Sequence, residues 1–485
     1  MFIKCSRISL LVVLRIINMN IKLFKCNILK RQIIVFMIFM GYSNITILHT
    51  NLSMAVVDMT SLKKISSSQN SSEMKAEFNW TPEQKSLILG SYSYGRLLSP
   101  IGGILATKLG GSTICSIGNL GMAVITLVSP LLLTADFNFF FIMYVIFGIF
   151  EALVITGIPE IIARWAPPEE HSRFVSFGEV GFFFGAIASF ILSGIVLGKC
   201  QWQILFYCNG LASLIWFGIW FIIVKNEPMD DKHMSESEQR YIQERMKYKH
   251  AEEKLAYPWK KIATFMVLWV GSLAEFAIVC GLIFTSVFLP QCIEDTAGTD
   301  ITHAGFISTI PQICALISMP ISGCISDYIR SLNKISVTNL HRLFASISLL
   351  GASVFYAVVV ICSNFVVHIV AISLYQFFST FLLADITVLF LDISPKYTAF
   401  FMSIVNTCSI TSGFIVPIVV EFIVTSHSLY QWNICFAIYS SMYLCVALLY
   451  LKFVTAEQPS WAISECNANQ NTMEMKEKAI NSAKL

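Results

Sequence analysis

The stretch "NFFFIMYVIFGIFEALVITGIPEII", residues 138–162, decides the fold. It is long and apolar enough to cross a bilayer as a single helix, which needs about 20 mostly apolar residues. Near its middle stands Glu151. An ionised side chain at the bilayer centre costs about 2.5–3.5 kcal/mol on insertion scales, so such a residue faces protein or water rather than lipid. A sheltered charge in an apolar helix implies neighbouring helices, and the rest of the chain supplies them.

The 485 residues are 55% hydrophobic and 13% charged, with a mean hydropathy of +0.68. A soluble globular chain carries about 25% charge. The backbone can be satisfied in hydrocarbon only within helices or closed barrels. Twelve apolar runs meet the helical length: 32–58, 84–106, 113–134, 138–162, 174–197, 202–224, 263–290, 303–326, 341–362, 366–391, 398–425 and 431–454. The expected fold is an all-α polytopic membrane protein of twelve transmembrane helices in two six-helix bundles. A basic segment at 1–31 precedes the first bundle at 32–224. A linker at 225–262 leads to the second bundle at 263–454 and a tail at 455–485.

Net charge is only +3, which gives no support to a nucleic-acid partner. The placement of charge is more informative. Short loops after even-numbered spans hold Lys108, Arg164, Arg173, Arg330, Lys334, Arg342 and Lys396, and those on the other side hold Lys199. Basic loops stay inside, so both termini are expected in the cytoplasm. Residues 1–31 hold seven Lys or Arg and no acid. Their apolar piece, "ISLLVVLRII", is interrupted by Arg15 and lacks a small-residue cleavage site, which favours an interfacial helix on an anionic leaflet over a signal peptide.

The fourteen cysteines form no C-x-x-C pair, and no metal-ligand cluster, P-loop, nucleophile elbow or dinucleotide fingerprint occurs. No cofactor is therefore expected, nor an enzyme. Asn70 and Asn79 fit the N-glycosylation pattern in the outer loop between the first two spans, and Asn51 fits it inside a span, where it is silent. Trp80, Trp202, Trp259, Trp432 and Trp461 fall at span ends, where an interfacial belt is expected. In the linker, Ser235 with Glu238 three residues on reads as a capping box opening a solvated helix.

The two halves rhyme. Pro100-Ile101-Gly102-Gly103, four residues before Thr107, recurs as Pro320-Ile321-Ser322-Gly323, four before Asp327. Two six-span halves repeated in parallel imply a path between them, open alternately to each side.

At this point the sequence resembles the major facilitator superfamily. "GGILATKLGG" after span 2 and "GCISDYIRS" after span 8 look like its loop motif, with Thr107 where an acid is usual. Further motifs resemble the anion and cation symporter branch that includes sialin, the vesicular glutamate transporters and the sodium-dependent phosphate cotransporters. They are "NLSMAVVDM", "FNWTPEQKSLILGSYSYG", "GIFEA" with "RWAPPEEHSR", "YPWKKI", "LDISPKY" with "SIVNT", and "PSWA". The resemblance covers residues 31–462. It implies a symporter of a small anion, such as inorganic phosphate or an organic acid, coupled to Na+ or H+. The membrane would be that of the cell surface or of a vesicle or lysosome.

The resemblance also assigns roles. Glu151 matches the family's fourth-span Glu, linked to cation coupling. Tyr144, seven residues earlier and about 20° away on a helical wheel, is expected to share its stripe. The family's anion-binding arginines are replaced by His49, Tyr144 and Ile278, and Leu89 stands where glutamate-type members have His. His49 retains a capacity to bind an anion or carry a proton. Arg96, mid-span, is either neutralised by one of the acids Glu179, Glu275 and Asp385 within spans 5, 7 and 10, or is a relocated anion ligand with those acids belonging to cation coupling. Asp327, Arg330, Asp392 and Pro395 are expected to serve gating or structure at the cytoplasmic ends. Glu160 lies about 180° from Glu151 and is expected to pair with Arg164 four residues on. Losing three basic positions while gaining acids leaves a neutral or cationic solute as one alternative, and a non-transporting receptor on the same fold as another.

Overall fold

A computed structural model describes residues 29–60, 63–65, 73–75, 78, 80–197, 201–231, 234–245, 258–297, 301–362, 364–425 and 428–459. Asn70, Asn79 and Trp461 lie outside them, as do residues 1–28 and the end of the tail. The first six spans are Lys30–Thr60, a second in two pieces (Pro82–Arg96 and Ser99–Leu109), Gly111–Ala135, Phe137–Trp165, His171–Leu197 and Trp202–Ile223. Span 7 begins at Met266–Ile283 and continues through a π turn to Ala297. Span 8 is Ile301–Ser331, span 9 runs from Val337 to Ile361 across a second π turn, and span 10 is Phe365–Ile393. Span 11 joins Thr398–Ile410 to Ser412–Ile423, and span 12 is Leu429–Phe453. A short antiparallel ribbon, Lys63–Ile65 with Glu73–Lys75, lies between the first two spans.

Among the described residues, eleven spans are long and apolar enough to cross a membrane, and span 2 is not one of them. Span 2 breaks at Leu97 and Leu98, and the cause is local. Pro100 has no N–H to give the Arg96 carbonyl, and its ring crowds that residue. The Ser99 hydroxyl donates to the Arg96 carbonyl instead, at 2.5 Å. The break therefore leaves no orphaned carbonyl there and turns the chain directly beside Arg96.

Each half is built around a large apolar cluster, and that of the first half reaches across to Met319, Ala384, Val388 and Leu391 of the second. The halves meet along two seams near the face that carries the linker, spans 2 and 11 in one and spans 8 and 5 in the other. Glycine permits both. A Cβ on Gly103 would stand 2.7 Å from the Ala399 carbonyl oxygen, and one on Gly323 would stand 2.6 Å from that of Ser172. The sequence repeat noted above thus marks two places where the halves approach closely, one in each seam.

The linker helix, Glu236–Arg245, starts as its capping pattern predicts: the Glu238 N–H donates to Ser235 Oγ at 3.3 Å. It is docked rather than solvated. Glu238 is 5% exposed and accepts from the backbone N–H groups of Lys30 and Arg31, both at 3.0 Å, and from Arg31 Nε at 3.2 Å. Span 1 therefore begins at Lys30, its first turn capped by an acid some 200 residues on, in the part of the helix that favours negative charge. The Arg31 guanidinium also lies 4.4 Å from the centroid of Tyr241 and pairs with Glu170 at 2.5 Å. The tryptophans depart from a simple belt. Trp202 and Trp432 are buried, the latter donating to Asp295 at 3.0 Å, whereas Trp259 is exposed.

Candidate functional site

Glu151 is buried, and its carboxylate meets Arg96 Nη1 at 3.5 Å, so the two mid-span charges of the first half pair across spans 4 and 2. Arg96 is neutralised by Glu151 and not by one of the three acids expected to do so. Two glycines make this crossing possible. A Cβ on Gly95 would fall 2.0 Å from the Val145 carbonyl oxygen, and one on Gly148 would fall 1.9 Å from that of Tyr92. The pair is loose. At 3.5 Å it lies beyond ordinary hydrogen-bond length, and both Arg96 Nε and Glu151 Oε2 are without partners.

His49 packs against Tyr92 with the rings tilted, centroids 3.8 Å apart, and lies within electrostatic reach of Arg96. Tyr144 packs in the core of the first half between Phe140 and Phe147. Ile278 is a core residue of the second half. Glu160 and Arg164 form the expected pair, Arg164 Nη2 lying 2.7 Å from Glu160 Oε1, and Arg164 also holds Glu227.

Nearer the linker face, a cavity of about 60 Å³ lies between the halves. Tyr42, Pro159 and Glu179 line it from one side, and Glu275, Thr387 and Asn406 from the other. The Thr387 hydroxyl donates to Glu179 Oε1 at 3.2 Å, and that of Ser409 donates to Glu275 Oε1 at 3.3 Å. Glu275 thus faces the cavity, as does Glu179.

Asp385 sits elsewhere. It belongs to a buried chain at the linker-face end of the second half, where His341 Nδ1 lies 2.9 Å from Asp385 Oδ1 and His341 Nε2 lies 3.1 Å from Asp392 Oδ2. Arg330 grips Asp392 with two hydrogen bonds, 2.9 and 2.6 Å, and donates to the Pro168 carbonyl of the first half at 3.1 Å. His171 Nδ1 approaches Asp392 at 3.5 Å. Asp327 accepts from the amides of Ser172 and Arg173, at 3.2 and 3.1 Å, and from Arg173 Nε at 3.0 Å. Pro395 opens the turn Pro395–Tyr397 between spans 10 and 11. In this conformation the halves are latched at the linker face. Sequence reasoning passed over His341 and His171, whose acidic partners are remote in the chain.

A central cavity between two six-helix membrane bundles is the architecture of a membrane transporter. The family model described as Major Facilitator Superfamily matches residues 33–338 and 271–477, and the chain belongs to that superfamily. Human sialin is similar, 26% identical over 89% of this chain and 91% of its own. Bovine vesicular glutamate transporter 2 is 27% identical over 90% of this chain and 76% of its own. Among solved structures, the proton:xylose symporter XylE aligns with a TM-score of 0.68 at 14% identity, over 88% of this chain and 96% of that one. The human organic anion transporter MFSD10 aligns at 0.61 and 12% identity, over 87% and 99%. At those identities the structural likenesses show the fold alone.

Proposed function

We propose that the protein is a secondary active transporter that moves a small anion, such as inorganic phosphate or an organic acid, together with Na+ or H+ by alternating access. The observation that carries this reading is Arg96, a mid-span cation held only loosely by Glu151. An anion entering beside it competes with Glu151 for the guanidinium, and a carboxylate so displaced takes up a proton readily in a poorly solvated site. The similarity to sialin and the vesicular glutamate transporters supports the anion. Charge in the short loops supports cytoplasmic termini, which makes the latched linker face the cytoplasmic one. The membrane is that of the cell surface or of a vesicle or lysosome.

The test is radiolabelled uptake of phosphate, glutamate and sialic acid into proteoliposomes, with Na+ and pH varied separately. Arg96→Ala should lower anion uptake at least about tenfold and Arg96→Lys less, since Arg binds anions through a planar fork that Lys lacks. Anion uptake unchanged in Arg96→Ala would overturn the assignment. A second reading rests on Glu179 and Glu275, which leave the central region richer in acid than in base. It expects a neutral or cationic solute, and uptake of organic cations in the same panel would establish it.

A further inference from the structure

The geometry points to a second, separate site: Glu179 and Glu275, one from each half, share a single bound cation, and this cation lets the two halves come together at the seam. The inference rests on the transport reading and adds a cation site beside the Arg96–Glu151 pair. Glu179 is 9% exposed, and its Oε2 has no partner although it borders the cavity. Tyr42, 5% exposed, stands on the same wall. Glu275, 6% exposed, faces them from the other half. With Thr387 and Asn406, the polar part of the lining offers oxygen and amide groups, the ligands a hard cation prefers, while Met402, Phe182 and Leu383 keep the rest apolar. The cavity's volume of about 60 Å³ exceeds the roughly 10–15 Å³ minimum for one water, leaving room for a small ion with water.

Two carboxylates facing each other across a poorly solvated seam cannot both stay ionised without a positive charge between them. Because each half contributes one, a cation binds well only when the halves are closed at the linker face and is released as they part. Other groups near the pair set its coupling to the anion. Arg96 of span 2 lies within electrostatic reach of Glu275, as does Cys408 of span 11. Tyr42 of span 1 senses both acids. Glu151 of span 4 competes for Arg96. An anion bound to Arg96 withdraws its positive charge from Glu275, so the acid pair then holds its cation more tightly. By linkage the cation favours the anion equally.

The shared chemistry is one positive charge on two carboxylates, from H+ or from Na+, and the experiment separates them. The melting temperature of the purified full-length protein is measured without any anion substrate, first from pH 8.5 to 5.5 in choline chloride, then at pH 8.5 with Na+ replacing choline. A rise on acidification identifies H+, a rise with Na+ at constant pH identifies Na+, and Glu179→Gln/Glu275→Gln should lose at least half of whichever rise occurs. The single variant Glu275→Gln, which keeps the hydrogen bond from Thr387 to Glu179, should show the same loss if the double variant does not fold. A wild-type protein insensitive to both ions, or a variant retaining the full rise, overturns the site. Because no anion is present, failure of anion uptake leaves this result standing, and its own failure leaves Arg96 untouched.

Discussion

The two seams that close the linker face have the same steric design and opposite electrostatics. Gly103 meets Ala399 and Ser403 in the first, and Gly323 meets Ser172 and Ser176 in the second, at nearly the same distances. Four residues on, the designs part. Thr107 donates its hydroxyl to the Ile104 carbonyl of its own helix at 2.9 Å, whereas Asp327 caps the first turn of span 5 across the seam. Three residues further stand Gly110, whose φ of 91° turns the chain into span 3, and Arg330, which locks onto Asp392 and Pro168. Duplication preserved what close approach demands. Among the described residues, the side chain four positions after the glycine is neutral in the first seam and charged in the second. Opening the second seam must therefore uncover a buried carboxylate.

The sharpest way to break this contrast is Arg330→Ala. Removing one partner of a buried pair costs about 3–5 kcal/mol, because the other charge stays behind without compensation. The Ser172 and Ser326 hydroxyls lie 2.9 Å apart, so cysteines at these positions report the closed seam by cross-linking. Their cross-linking rate should fall at least about tenfold in Arg330→Ala. Arg330→Ala/Asp392→Asn should recover much of the loss, and an unaffected rate in the single variant would remove charge from the account. Next in size are Gly323→Val and Gly103→Val, each expected to cost about 1–3 kcal/mol through overpacking. Their effects on the same cross-link should be similar. A large effect at one glycine and none at the other would show that the seams are not sterically equivalent.

Much of this was legible in the sequence where physics acts locally. Span 4 was expected at 138–162 and runs Phe137–Trp165, because an apolar run bounded by charge leaves the helix few other ends. The bond from Glu160 to Arg164 follows from helical spacing alone. What was hidden depends on contacts between distant segments. Glu238 looked like half of a local capping box and instead caps a helix 207 residues away. Arg96 and Glu151 each stood out as a buried charge, yet nothing in the spacing of 55 residues says that they meet. His341 drew no notice, since a lone histidine at a helix start has many uses and its two acids lie 44 and 51 residues on. The break in span 2 was written in Ser99-Pro100, which the hydropathy reading ran straight across.

Asp327→Asn comes third in expected size, at about 1–2 kcal/mol. The amide keeps one acceptor for the first turn of span 5 but loses the charge that strengthens both backbone bonds. Thr107→Val in the other seam removes a neutral hydroxyl that bonds within its own turn, with no charge lost, and should fall below it. Comparable losses would mean that the charge at Asp327 contributes little.

The smallest effect is expected from Arg173→Ala, and it separates the two ways in which Asp327 is held. The Arg173 side chain is 50% exposed while the Asp327 side chain is fully buried. Solvent screens the guanidinium, so this pair should contribute no more than about 1 kcal/mol. It should fade between low salt and about 1 M salt, where the Debye length shrinks to roughly 3 Å. The backbone amides of Ser172 and Arg173 survive the substitution and are shielded from salt, so the Asp327→Asn deficit should persist at 1 M. If Arg173→Ala proves the costlier of the two, or its deficit ignores salt, then the side-chain pair and not the end of span 5 anchors Asp327. The second seam would then be an ion pair between side chains, and its difference from the first would lie in Arg173 as much as in Asp327.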